Sequence, residues 1–460
     1  LIGEDIVSDQ LLFSVAGARG IVGKTIDPDV VTRLCAAFSR VLPEGPVVVG
    51  RDTRPSGESL AHAAIGSLTA CGRDVIDVGI ATTPTVELAT EYSDAAGGVI
   101  VTASHNPVAW NALKFLDARG LFLSPALGAR VFEAYENETF PWADGRSCGH
   151  VTHDAGATQN HLDAIVGLDV IDVEKIRAQN LHVVLDCING AGSVIAPQLL
   201  ESLGARVTCV NCTPNGDFYR DPEPRPEHLS ELAERVGKEN VHVGFAADPD
   251  ADRLALVDET GRAISEEYTL ALAVDAVLSR TPGDVVVNLS TSSVIDAVAA
   301  RYGATVHRTP VGEAHVVAKM LDCGAVIGGE GNGGVIYPTL HPGRDAPLGM
   351  ALILQILAVT GRTLSDLVAK YPPFVITKAK VKRRGAFDTE RICGYIKRLN
   401  PDTIDVRDGV KALFADGWFH LRVSNTEGVV RVIAEATDRG GAKALADRAR
   451  RVLDELWAGT

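Results

Sequence analysis

Along most of the chain, short runs of aliphatic and β-branched residues alternate with longer stretches whose apolar positions recur every three or four residues. Val47-Val48-Val49, Gly98-Val99-Ile100-Val101, His182-Val183-Val184-Leu185 and Val285-Val286-Val287 are continuous runs, without the in-and-out alternation of a half-exposed strand. Strands covered on both faces read this way, so the runs predict parallel or mixed sheets packed between helices. Residues 59–71 and 268–278 carry helical spacing. The strand–loop–helix order restarts three times: at Gly50-Arg51-Asp52, at Asp186-Cys187-Ile188-Asn189-Gly190-Ala191-Gly192, and at Asn288-Leu289-Ser290-Thr291-Ser292. Three α/β domains of similar plan would explain this.

From about residue 373 the texture changes. A strand-like run reaches Val381, a helical pattern covers residues 391–398, and Asp408-Gly409 and Asp416-Gly417 interrupt β-rich flanks. Asp-Gly in that setting signals hairpins. An amphipathic helix is expected at residues 442–456, completing a separate α+β domain with an antiparallel sheet. The expected domains are 1–155, 156–258, 259–371 and 372–460, with linkers near 144–158, near 258–267 and at Pro372-Pro373. A chain of 460 residues is long enough for several such cores.

With 46% hydrophobic and 22% charged residues, the composition is that of a soluble globular protein. The net charge of −15 repels nucleic-acid phosphates and anionic lipid, so neither is an expected partner. No apolar run reaches the roughly 18 residues of a membrane span. The N-terminus lacks a charged segment followed by an apolar one, so no signal peptide is expected. Cys209 and Cys212 form the single C-x-x-C, with no second pair to complete a zinc site. Reduced thiols in a cytoplasmic protein are the expectation.

Four motifs carry candidate chemistry. Thr102-Ala103-Ser104-His105-Asn106-Pro107 follows a buried strand, where α/β proteins place ligands. Pro107 keeps a helix from running back through the loop. A serine there can be a nucleophile or carry a phosphate, although a polar turn has the same composition. Asp248-Pro249-Asp250-Ala251-Asp252-Arg253 lies between apolar runs. In extended backbone alternate residues share a face, so the three carboxylates are expected to converge on a hard cation, Mg²⁺ or Ca²⁺. A calcium loop would place Glu259 twelfth, but it needs glycine at the sixth position, which is Arg253.

Gly329-Glu330-Gly331-Asn332-Gly333-Gly334 lets backbone approach a ligand, with Glu330 and Asn332 suited to sugar hydroxyls; a flexible surface loop reads alike. Arg422-Val423-Ser424-Asn425-Thr426-Glu427-Gly428, with Arg431 beyond, offers a phosphate cradle from Arg422, Ser424, Asn425, Thr426 and Arg431, or a polar turn.

In this order the four motifs resemble the α-D-phosphohexomutase family of phosphoglucomutases, phosphomannomutases and phosphoglucosamine mutases. Gly17-Ala18-Arg19-Gly20, Gly50-Arg51-Asp52-Thr53-Arg54, residues 111–114 and Pro222-Glu223-Pro224 look like the family too, so the resemblance spans essentially the whole chain. It implies three similar mixed α/β sheet domains plus a C-terminal α+β domain around a central cleft. It implies interconversion of hexose 6-phosphate and hexose 1-phosphate through phospho-Ser104, with hexose 1,6-bisphosphate as intermediate and activator. Mg²⁺ would be held by Asp248, Asp250, Asp252 and a phosphoserine oxygen on Ser104. Arg253 would lie by the transferring phosphate, the third motif would read the sugar, and the fourth would hold the other phosphate. Such transfer needs alignment and charge neutralisation, which Lys114 and the arginines would share with the metal.

The chain departs from the pattern in one loop. Many members carry histidine where this chain has Gly334, and serine where it has Asn332. Histidine is a natural general acid/base. Lys114, Arg19, His105 and His341 are the remaining candidates for that role. Glucosamine phosphate is expected ahead of mannose or glucose phosphate, because the chain shares the compact single-chain plan of that group. A monomer or homodimer is expected. Two other readings stay open: a catalytically silent sugar-phosphate-binding protein, and a phosphatase with an aspartate nucleophile. Against the second, such a motif usually follows the first core strand, whereas here it stands mid-chain.

Overall fold

The computed structural model describes residues 10–14, 17–238, 240–424 and 428–458. The first sheet holds β1 (Leu12–Ser14), β2 (Gly17–Ile21), β3 (Val47–Arg51), β4 (Val75–Ile80), β5 (Gly97–Val101), β6 (Trp110–Leu116) and β7 (Val151–His153), in the order β1-β2-β6-β5-β3-β4-β7. The second holds β8 (His182–Asp186), β9 (Arg206–Val210), β10 (Val243–Ala247) and β11 (Leu254–Asp258), in the order β11-β10-β8-β9. The third holds β12 (Val285–Asn288), β13 (Val306–Thr309), β14 (Ile327–Glu330), β15 (Gly334–Tyr337) and β16 (His341–Arg344), in the order β13-β12-β14-β15-β16. The fourth holds β17 (Val375–Lys382), β18 (Thr403–Asp405), β19 (Val410–Phe414), β20 (Gly417–Val423) and β21 (Val429–Ala436), antiparallel in the order β17-β21-β20-β19-β18.

The first three sheets repeat one unit. Its first strand pairs in parallel with its second and its third, and the fourth returns antiparallel along the third. β3–β6, β8–β11 and β12–β15 all follow this plan. A parallel neighbour needs a long crossover, but an antiparallel one needs only a hairpin. The hairpin after the third strand is therefore short and is not itself a crossover helix. In each repeat that hairpin carries one of the motifs: residues 102–109, 248–253 and 331–333.

The continuous apolar runs are buried strands, as their composition predicts: Val47, Val48 and Val49, Val183, Val184 and Leu185, and Val285, Val286 and Val287 are all fully buried. The second and third sheets share one core with the helices Glu267–Leu278 and Ala346–Thr360. The latter is apolar on all sides, starts on an Asp345 cap and Pro347, and stops at left-handed Gly361. The helix Arg439–Ala458 covers one face of the fourth sheet and leaves the other to the rest of the molecule.

Two expected linkers are structured. Residues 144–158 contain β7, which extends the first sheet alongside β4. After β11 the chain turns and bridges back from Ala263 to Val257. Among the described residues, no helix is long and apolar enough to cross a membrane.

Candidate active site

The Ser104 loop is built on a buried ion pair. Arg54 uses all five guanidinium N–H groups. Nε donates to Asp52 Oδ2 at 3.0 Å, and the Nη atoms donate to the carbonyls of Ser104 (2.6 Å), Asn106 (2.6 Å), Pro107 (2.7 Å) and Trp110 (3.1 Å). Thr102 Oγ1 donates to the same Asp52 carboxylate and accepts from Ser104 N. Ser104 itself has φ +48°, a left-handed backbone that a serine holds only when its surroundings over-determine it. Its Oγ donates to Asp248 Oδ2 at 3.0 Å and lies 3.2 Å from His105 Nδ1.

The aspartate loop converges, though not through an extended backbone. It is a tight turn between β10 and β11, with Ala251 N bonded to Asp248 O and Ala251 at φ +52°. Ligand oxygens of Asp248, Asp250 and Asp252 come within 4.8 Å of one another, and all three residues are fully buried. Asp248 Oδ1 accepts from the backbone N–H groups of Asp252 and Arg253. Asp250 Oδ2 accepts from Thr83 Oγ1 and from Lys114 Nζ, each at 2.7 Å. Asp252 Oδ2 accepts from Arg344 Nη2 at 2.6 Å. Asp250 Oδ1 and Asp252 Oδ1 are buried with no donor.

Burial and the two neighbouring carboxylates push Asp248 well above the usual carboxylate range. Asp250 is also buried, yet Lys114 and Thr83 hold it below that range. Burial opposes the charge on Lys114, but Asp250 and Asp252 raise its pKa all the same, which keeps it an ammonium. Three crowded carboxylates with spare oxygens, beside a serine hydroxyl, fit a hard oxygen-preferring divalent cation such as Mg²⁺.

The third hairpin is stitched to the aspartate loop, since Leu254 N donates to Gly333 O at 3.1 Å. Gly331 faces the Glu267 carboxylate so closely that a Cβ would lie 2.6 Å from Oε1. Glu330 is buried and well supplied with donors: Asn288 Nδ2 (2.7 Å) and Gly312 N (3.1 Å) on Oε1, and Arg344 Nη1 (3.0 Å) on Oε2. Asn332 Oδ1 accepts from Gly334 N at 3.2 Å.

In the fourth sheet, Lys380, Arg431 and Arg422 stand directly opposite one another on β17, β21 and β20. Arg422 Nε pairs with Asp408 Oδ2 at 2.7 Å, and Ser424 N bonds to Val429 O. Asn425 and Thr426 lie outside the described residues. Arg19, on β2, is lowered from its usual pKa by burial and by the charges of Arg431 and Arg253. Cations from the first, second and fourth sheets therefore face a common region. Arg253 also pairs loosely with Glu223, at 3.4 Å.

Four models of one family match the chain in series. They are phosphoglucomutase/phosphomannomutase alpha/beta/alpha domain I over residues 10–142, domain II over 159–261, domain III over 265–374, and the C-terminal domain over 377–452. The chain belongs to this family. It is a phosphohexomutase. A phosphoglucomutase/phosphomannomutase of Thermococcus kodakarensis is 39% identical over 458 residues, covering 97% of this chain and 99% of that protein. A probable phosphoglucosamine mutase of Methanopyrus kandleri is 36% identical over 454 residues, covering 96% and 99%. A solved phosphoglucomutase/phosphomannomutase family protein from Burkholderia thailandensis superposes with a TM-score of 0.86 at 28% identity, covering 98% of each chain.

Within this phosphohexomutase, His105 sits beside Ser104, and burial together with Arg253 holds its pKa well below the usual value. His341 is elsewhere: its ring faces Glu91 at 2.8 Å and Glu87 at 3.9 Å, where β16 meets the helix Thr83–Tyr92. Sequence reasoning missed Arg54, Thr83, Lys380 and Arg344. Arg54 and Lys380 lay in segments already singled out, but only the strand pairing and the loop contacts show what they face.

Proposed function

We propose that this phosphohexomutase interconverts hexose 6-phosphate and hexose 1-phosphate by way of phospho-Ser104 and a hexose 1,6-bisphosphate. The observation that carries the reading is the hydrogen bond from Ser104 Oγ to Asp248 Oδ2, 3.0 Å long, which joins the serine hairpin to a carboxylate cluster with two donor-less oxygens. Asp248, Asp250 and Asp252 would hold Mg²⁺ together with a phosphoserine oxygen on Ser104. When bound, the ion neutralises phosphoryl oxygens during transfer.

The chain's own residues do the remaining work. Arg54 fixes the loop that presents Ser104. Lys114, kept charged between Asp250 and Asp252, and Arg253 offset negative charge at the transferring group. His105 Nδ1 is within reach of the proton that returns to Ser104 Oγ as the phosphoryl group leaves. Glu330, at the end of β14, and Asn332, on the hairpin that follows, would read the sugar hydroxyls. Arg422, Ser424, Asn425, Thr426 and Arg431 hold the phosphate that is not transferred, and Arg19 adds charge between the two. Turning the bisphosphate over presents its other phosphate to Ser104, so each cycle regenerates the phosphoenzyme.

Glucosamine phosphate is the preferred hexose in this reading. Supporting it is the name of the Methanopyrus relative. The name of the Thermococcus relative favours glucose or mannose phosphate as the second reading. Side-by-side kcat/KM on the three sugars decides between them, and a clear preference for mannose 1-phosphate overturns the first. Ser104→Ala should abolish turnover with the fold intact; full activity in that variant refutes the phosphoserine scheme.

A further inference from the structure

We propose that Arg344 is a positioning residue that couples the sugar hairpin to the aspartate cluster, and that Gly334 lacks a side chain so that Arg344 can occupy this place. The inference rests on the mutase reading above and goes beyond it.

Arg344 ends β16, one residue before the Asp345 cap of the helix Ala346–Thr360. Its side chain is buried among carboxylates from three separate elements. Nη2 donates to Asp252 Oδ2 at 2.6 Å, Nη1 to Glu330 Oε2 at 3.0 Å, and Nε lies 3.1 Å from Glu313 Oε2. Its backbone N–H donates to the other oxygen of Glu313 at 2.8 Å. A planar guanidinium reaches three carboxylates at fixed angles; a point-like ammonium does not.

Each contact has a consequence. On Asp252, the guanidinium occupies Oδ2 and leaves Oδ1 with no hydrogen-bond donor, 3.7 Å from Arg253 Nε. Arg344 therefore sets which oxygen Asp252 offers to a cation. On Glu330, Arg344 holds Oε2, the oxygen also approached by Asn332 Nδ2 at 3.5 Å. A hydroxyl that draws on Glu330 draws on the same guanidinium that holds Asp252.

The space for this arrangement comes from Gly334, which stands opposite Glu330 across the hairpin. A Cβ on Gly334 would lie 3.0 Å from Arg344 Cγ and closer still to Cδ. A side chain at position 334 and Arg344 in this position exclude one another. The chain thus gives up a group on the sugar hairpin and gains a buried cation that links two loops.

The test uses the full-length protein and two binding measurements that need no turnover: Mn²⁺ affinity by electron paramagnetic resonance without sugar, and glucosamine 6-phosphate affinity by calorimetry without metal. Arg344→Lys keeps the charge and loses the fork. It should weaken Mn²⁺ binding by about tenfold, the effect expected when an outer partner of a ligating carboxylate is removed, and should weaken the sugar phosphate as well. Gly334→Ala should weaken both in the same direction. In an Arg344→Ala background it should add little, because the severe contact is gone and only Asn332 Oδ1, 3.2 Å from the new Cβ, stays close. Parent-like affinities in folded Arg344→Lys overturn the proposal. If that variant does not fold, Gly334→Ala, which removes no charged group, decides, and parent-like Mn²⁺ binding there overturns it. A parent that binds Mn²⁺ and accepts phosphate on Ser104 while both variants match it refutes the coupling alone. A parent that does neither refutes the mutase reading beneath it.

Discussion

Arg54→Lys is the change that most cleanly separates loop geometry from chemistry. Arg54 makes no direct contact with Ser104 Oγ; it serves five acceptors through five N–H groups, in a site with no side-chain exposure. Lysine brings three N–H groups, so at least two of these acceptors lose the N–H that Arg54 supplies. Asp52 Oδ2 and Pro107 O keep a second donor in Thr102 Oγ1 and Trp110 N, so the loss is that of about one buried acceptor left unpaired, about 1–3 kcal/mol. That is an appreciable fraction of an ordinary stability of about 5–15 kcal/mol. Because the charge is kept, Asp52 is not left as a lone buried carboxylate, a change that would cost about 3–5 kcal/mol more. The loss should be local. Hydrogen exchange should rise at the amides of Asn106 and Trp110, which close turns onto Ala103 O and Pro107 O. A nucleophile displaced by about 1 Å loses about 10²-fold in rate, so kcat should fall by that order while KM for the hexose phosphate changes little. Unchanged exchange over residues 102–110 together with unchanged kcat would refute the argument that Arg54 holds the loop.

Three further outcomes are expected. Asp250→Asn removes one hard anionic ligand and should raise the Mg²⁺ concentration for half-maximal activity by at least about tenfold; an unchanged value removes Asp250 from the site. Gly331→Ala forces a methyl against the Glu267 carboxylate and should raise KM for the hexose phosphate while leaving Mn²⁺ affinity near that of the parent; an unchanged KM shows that the hairpin is not held there. Lys411 is buried over the Trp418 ring, with Leu289 O as its acceptor at 2.7 Å, and burial, aided by Arg308, pushes its pKa down to about 7. The unfolded chain keeps that proton up to the ordinary lysine range, so Lys411 opposes folding most strongly below about pH 7, and its penalty is relieved as pH rises towards that range. The stability difference between the parent and Lys411→Met, followed by urea unfolding, should therefore shift in the parent's favour by on the order of 1 kcal/mol per pH unit above pH 7; a pH-independent difference contradicts this.

Much of the fold was legible in the sequence because its central strands are buried on both faces. Val47-Val48-Val49 and Val285-Val286-Val287 have no polar alternation to confuse with an exposed strand or a surface helix. The Asp-Gly pairs likewise marked real turns: Asp408-Gly409 lies between β18 and β19, and Asp416-Gly417 closes onto β20. The aspartates do gather, but through a turn with a left-handed Ala251. Spacing alone cannot separate that turn from an extended run, since both bring the carboxylates together. The common position of the three motif hairpins depends on strand order, a tertiary property with no local signal. Arg344 was invisible for a related reason. Nothing in His341-Pro342-Gly343-Arg344 distinguishes a buried bridge among three carboxylates from a surface arginine. Its partners Asp252, Glu313 and Glu330 come from distant parts of the chain.

The most direct test of the central claim is the intact mass of the purified protein with peptide mapping over residues 102–107, before and after incubation with hexose 1,6-bisphosphate and Mg²⁺. The account predicts a gain of about 80 Da, one phosphoryl group, located on Ser104. A Ser104 that stays unmodified under both conditions contradicts the phosphoserine mechanism and leaves a protein that binds sugar phosphates without turning them over.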